Sequence, residues 1–172
     1  MAKRISLREY QEGMIVRLQG ATSASQEDAR LGIELAGERW LLDLADIAEV
    51  LPLPTVAPVP LAQSWFRGVA NIRGNLVSVV DLQAFFGGNA LMPTSFSRLL
   101  LLHPKHLPHA GVLVTRMLGL RHLAEMIEVP RQSGDPAWLT ARYQDESGCE
   151  WRVLGVAQLA VEPAFLRTGI IA

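Results

Sequence analysis

The sequence predicts an all-β fold, a barrel or sandwich rather than a helical bundle. Three observations lead there. Short apolar runs recur along the chain from Leu31 onward, each ended by glycine, proline or a charged turn. The runs are too short to make helices of ordinary length. The same succession of runs then appears a second time, which implies two similar β-modules sharing a core.

The elements follow in order. In residues 1–30, Ile5, Tyr10, Met14 and Leu18 fall close to helical spacing, and GATSASQED reads as a polar linker. A short N-terminal helix with a tether is expected there. LGIEL, a turn at AGE, and RWLLDL follow as strands, then IAEVLPL, VANI and LVSVVD. PLPTVAPVP, Pro52 to Pro60, is too rich in proline for a central strand and reads as an extended connector.

RLGIELAGERWLLDLADIAEVL matches RLLLLHPKHLPHAGVLVTRMLGLRHL in its order of strand, turn, strand and amphipathic stretch. SWFRGVANIRGNLVSVVDLQAFF matches AWLTARYQDESGCEWRVLGVAQLAV, with Trp65 opposite Trp138 and Gln83 opposite Gln158. The expected modules are residues 31–88 and 96–168 within one unit, 31–168. Each is too small to bury much alone. The four tryptophans, Trp40, Trp65, Trp138 and Trp151, recur near strand starts and are expected to pack the cores.

Composition excludes several function classes. The 172 residues are 49% hydrophobic and 19% charged with net charge −1, so the chain buries a core and is not disordered by composition. Its Lys and Arg are scattered, without the basic stripe that nucleic-acid binding requires. The single cysteine, Cys149, makes no intrachain disulfide, which fits a reducing compartment. The N-terminus lacks a signal-peptide apolar run, and no stretch approaches a membrane-spanning length. A cytoplasmic protein without membrane insertion is expected.

No G-x-S-x-G, Walker A, HExxH or G-x-G-x-x-G pattern occurs, so no enzyme and no catalytic residues are expected. HPKHLPH brings His103, His106 and His109 close in sequence, but its interleaved prolines break any regular geometry. Neither a metal nor a cofactor is expected.

FRGVANIRGNLVSVVDL, Phe66 to Leu82, poses the main question, with its two Arg–Gly pairs six residues apart. IRGNL reads as a tight turn, because Gly and Asn tolerate left-handed backbone. LVSVVD alternates faces as a strand, and Asp81 offers a side-chain cap to LQAFF. Arg73 would pair with an acid or stack on an aromatic such as Trp65.

GVANIRGNLVSVVDL resembles the G-V-x-N-L-R-G-x-x-x-P-V-x-D-L signature of CheW-like coupling domains at Gly68, Val69, Asn71, Arg73, Gly74, Val79, Asp81 and Leu82. WLLDLADIAEVL and AGVLVTRMLGL resemble further parts of that family, and the likeness covers about residues 31–168. Two departures stand out: Ser78 replaces the family proline and Thr115 its aspartate. The resemblance implies two packed SH3-like five-stranded barrels. It also implies a non-enzymatic adaptor between the regulatory domain of a CheA-type histidine kinase and the cytoplasmic tip of a methyl-accepting chemoreceptor, with ring assembly through like barrels. The departures and the N-terminal extension look closer to the branch that controls type IV pilus twitching than to flagellar chemotaxis.

Carried over by resemblance, the partner-binding residues are Ile47, Glu49, Gly68, Asn71 and Arg73, with Val112 and Val114 completing an apolar groove. Local readings remain for several of them: Ile47 as core, both glycines as turn residues. A different class of function, a β-barrel holding a small ligand between its modules, stays open at this stage.

Overall fold

A computed structural model describes residues 28–170; the expected N-terminal helix falls on residues 1–27, outside the described part. Two mixed sheets carry the fold. The strands are β1 (Ala29–Leu35), β2 (Glu38–Asp43), β3 (Ile47–Pro52), β4 (Phe66–Ile72), β5 (Asn75–Asp81), β6 (Arg98–Leu102), β7 (Ala110–Val114), β8 (Arg116–His122), β9 (Ile127–Val129), β10 (Leu139–Gln144) and β11 (Glu150–Leu154). Single helical turns α1 (Leu82–Phe85), α2 (Val156–Leu159) and α3 (Pro163–Leu166) complete them. β1 begins at Ala29, inside residues 1–30, the stretch assigned from sequence to the N-terminal extension.

One sheet has the order β8-β1-β2-β11-β10-β9 and the other β3-β6-β7-β5-β4. The duplication is visible in this order. Replacing β1, β2, β3, β4 and β5 by β6, β7, β8, β10 and β11 turns one sheet into the other, with β9 as an addition. The parallel pairs β5–β7 and β11–β2 correspond in the same way. Each half therefore gives its first two strands to the other half's sheet, and the boundaries at 31–88 and 96–168 do not separate the sheets. A pattern of runs shows which segments are strands but not which remote strand each one meets.

Finer details repeat as well. The Asp81 amide donates to the Trp65 carbonyl at 2.8 Å, and the Gly155 amide to the Trp138 carbonyl at 2.8 Å. Both hairpins bulge near the same place, between Phe66 and Gly68 in one and between Leu139 and Ala141 in the other. Helical turns follow both hairpins, and Asp81 caps α1 by accepting from the Ala84 amide at 3.1 Å. Asp81 is fully buried and also accepts from the Leu91 amide at 2.7 Å.

The shared core lies between the sheets. It joins Leu31, Ile33, Leu35, Trp40 and Leu42 of the six-stranded sheet to Val80, Leu100, Leu102 and Val112 of the other. Each such aliphatic side chain contributes roughly 1.5–3 kcal/mol on burial. Trp40, Phe86, Trp138, Phe85, Trp65 and Phe165 form a chain of ring contacts, with Phe86 stacked on Trp138 at 4.4 Å and Trp65 on Phe165 at 5.6 Å. The alternate residues of the five-stranded sheet, Val79, Leu99 and Leu113, build a second aliphatic core with Ala70 and Leu91.

The six-stranded sheet fills the corresponding face differently. Trp151 is buried beneath the guanidinium groups of Arg39 and Arg121, 5.6 and 5.2 Å from its ring, and its indole N–H donates to Asp145 at 2.8 Å. Arg142 is also buried, and its guanidinium donates to Asp135 at 2.6 and 2.8 Å and to Glu150. These bonds fasten the loop between β9 and β10.

The Arg142 guanidinium holds the Asp135 carboxyl down at about 2. A depressed folded-state value stabilises the fold above the ordinary carboxylate range, and the contribution disappears as pH falls through that depressed value. Asp135→Asn is therefore expected to lower the denaturation midpoint near neutrality, with the gap to wild type closing between about pH 4 and pH 2. Chemical denaturation of both proteins across that range measures it, and a gap independent of pH would contradict the assignment.

Candidate partner-binding surface

The β4–β5 hairpin answers the question of the two Arg–Gly pairs. Arg67 reaches the buried Asp81, with Nη1 3.4 Å from Oδ2. Gly68 has φ +129°, and a Cβ placed on it would stand 2.0 Å from the carbonyl oxygen of Ala57. No other residue type fits that spacing. It lets the connector after β3 pair with β4: the Ala57 amide donates to the Val69 carbonyl at 2.8 Å, and the Val69 amide to the Ala57 carbonyl at 2.9 Å. β3 and β4 are opposite edges of the five-stranded sheet, so this bridge ties the connector leaving one edge onto the other.

The second pair closes the other end. Arg73 (φ +51°) and Gly74 (φ +85°) are successive left-handed residues, the backbone of a type I′ hairpin turn. Asn71 supports the turn by accepting the Gly74 amide on Oδ1 at 2.8 Å. The turn sends the Arg73 guanidinium across to Glu49 on β3, with both terminal nitrogens on the carboxylate and Nη1–Oε2 at 2.6 Å. That hydrogen bonding holds the Glu49 carboxyl below its usual range and raises Arg73. Arg73 remains 69% exposed, so the pair is worth little in isolation and matters for where it fixes the two edges.

An apolar cleft of about 240 Å³ opens beside Arg73, lined by Ala48, Ile72, Val77, Leu101 and His109 among others. Leu101 and His109 come from β6 and the loop after it, in the other half of the chain. Sequence reasoning missed them for that reason: only the strand exchange brings them to the hairpin.

The residues named from sequence thus separate into groups. Glu49, Asn71 and Arg73 gather at the hairpin turn and the facing edge. Gly68 is buried under the connector. Ile47 is half-buried against the shared core, opposite Leu102 on β6. Val112 and Val114 form no groove: β7 is a central strand with all five residues buried, and both valines lie in the shared core. An apolar strand flanked on both sides reads in sequence like a groove floor.

The two family departures sit in different local settings. Ser78 retains an amide that proline would lack, and it donates to the His109 carbonyl at 2.8 Å. The Thr115 hydroxyl is buried with no hydrogen-bond partner, while its amide donates to Glu34 at 3.0 Å. Of the histidines, His106 pairs with Asp46 at 2.6 Å. Among the described residues no three His, Cys, Asp or Glu side chains are grouped to hold a metal ion, and no helix is long and apolar enough to cross a membrane.

The model of the CheW-like domain matches residues 30–163, most of the chain. The chain belongs to the CheW-like family. It is 32% identical to Protein PilI of Pseudomonas aeruginosa over 111 residues, covering 62% of this chain and 61% of that protein. It is 26% identical to Chemotaxis protein CheW of Thermotoga maritima over 102 residues, covering 59% of this chain and 66% of that one. The matched stretch is thus under two thirds of either relative. In fold it is similar to the scaffolding protein TtCheW from Thermoanaerobacter tengcongensis, with a TM-score of 0.64 at 20% identity over 74% of this chain and 88% of that one.

The two signature glycines of this CheW-like chain should respond differently to the same change. Nothing lies within 4 Å of a Cβ at Gly74, whereas at Gly68 the added atom meets backbone. Gly74→Ala is expected to cost about 1 kcal/mol from its left-handed φ alone. Gly68→Ala should cost about 3 kcal/mol or more, because the connector must leave β4. Denaturant titrations of the two variants compare them, and equal costs would contradict the closure described.

Proposed function

We propose that this CheW-like protein is an adaptor without chemistry of its own. It would couple the cytoplasmic tip of a methyl-accepting chemoreceptor to the regulatory domain of a CheA-type histidine kinase, inside the cell, in an array that steers type IV pilus extension and retraction. The observation that carries this reading is the exposed Arg73 on its turn, fixed to Glu49 beside an apolar cleft, within a chain matched to the family from residue 30 to residue 163. An apolar floor with a charged rim suits the docking of a helix or a like barrel. The higher identity to Protein PilI than to the Thermotoga CheW favours the pilus output. Ring assembly through like barrels fits the pseudo-symmetry of the two sheets. Receptor signals would pass to the kinase as a change in preferred arrangement of adaptor and kinase, which requires each partner to bind the two arrangements unequally.

Titration calorimetry against the regulatory domain of the CheA-type kinase from the same source tests the reading. Wild type is expected to bind saturably, and Arg73→Glu to lose binding while still melting cooperatively. The double variant Glu49→Arg with Arg73→Glu rebuilds the pair with reversed charge. Binding still absent there supports Arg73 or Glu49 as a direct contact, whereas recovery would move the contact to another side chain and leave the pair as support. No binding by wild type would overturn the adaptor reading.

A further inference from the structure

A second cleft, of about 400 Å³, opens beside Arg67 and belongs to none of the surfaces above. Pro54, Val56 and Pro58 of the connector form one wall, Pro93 another, and buried Leu113 lies beneath. Proline contributes apolar surface without an N–H, so these walls bring few donors to the space. Arg67 is the one charged residue of the lining. Its guanidinium has one long contact, 3.4 Å to Asp81, while Asp81 is already served by the Ala84 and Leu91 amides at 3.1 and 2.7 Å. A guanidinium carries five N–H donors, so Arg67 has donors to spare for a ligand.

The walls are fixed before anything binds. The connector is held by the paired bonds between Ala57 and Val69, next to Gly68. The loop carrying Pro93 is tied on one side by Leu91 to Asp81, and on the other by the Thr94 amide to the Ser97 hydroxyl at 3.0 Å. A preformed apolar cleft of this size with a single oriented cation has the make-up of a small-molecule site.

We propose that this cleft binds a small monocarboxylate with a compact apolar body. The body lies against the proline walls and Leu113, and the carboxylate accepts from Arg67. Neutral analogues lose the charge-assisted bond, and small anions without a body lose the apolar contact. Binding here is read in the chain alone, without kinase or receptor, so it stands or falls apart from the adaptor reading.

Phenylacetate is a suitable probe, with phenylacetamide and acetate as controls. Methyl resonances of Val56 and Leu113 in the full chain are followed by NMR during titration. Phenylacetate is expected to shift them saturably, with phenylacetamide and acetate at least ~10-fold weaker. Val56→Trp, which fills the cleft, should abolish the effect. Pro54→Glu, which places a carboxylate at the wall, should weaken it, and serves if the tryptophan variant does not fold. Equal affinity for acid and amide, no saturation with phenylacetate, or unchanged binding in a folded variant would each overturn the proposal.

Discussion

The structure depends on one close approach, the carbonyl of Ala57 against the bare backbone of Gly68. A five-stranded sheet has two edges, and its outermost strands, β3 and β4, are not neighbours within it. The connector after β3 brings the chain to β4, but only a position without a Cβ admits the carbonyl. Once the bridge forms, the inner faces of β5, β6 and β7 are enclosed, and Val79, Leu99 and Leu113 become a core. The wall beside Arg67 follows from that bridge. The Arg73–Glu49 pair acts at the opposite end of the same seam, where exposed charge fixes position more than it supplies stability.

The exchange of strands explains why the two halves are inseparable. Each sheet lacks its first two strands until the other half supplies them, so neither half can bury its own apolar face. The main core is accordingly drawn from both sheets at once. The two halves are similar in path yet different in content. One sheet encloses aliphatic side chains, and the other a tryptophan beneath two guanidinium groups and an arginine paired to acids. Duplicated frameworks with divergent interiors leave one half free to carry a surface that the other does not.

Much of this was legible in the sequence. Short apolar runs marked the strands, the repeat marked the duplication, and the proline-rich stretch marked the connector, because each rests on local backbone preference. The Asp81 cap was readable for the same reason. Remote pairing was not readable: nothing in RLLLL or AGVLV says that they sit between β3 and β5. Val112 and Val114 were misplaced because burial on both faces and a groove floor call for the same residues. Arg73 was recognisable as part of a turn, but its reach to Glu49 depends on a strand 24 residues earlier. Gly68 was singled out by resemblance to a partner-binding position, while its backbone contact with Ala57 required the fold.

The measurement that tests closure most directly is amide hydrogen exchange at Ala57 and Val69. Both N–H groups donate across the seam, at 2.8 and 2.9 Å. If the connector is a true edge of the closed sheet, both amides exchange slowly, at rates near those of β5 and β7, although Ala57 lies in a proline-rich segment that sequence alone reads as open. Exchange at Ala57 as fast as in an unprotected loop would mean that the sheet is not closed there, and the account built on Gly68 would fail with it.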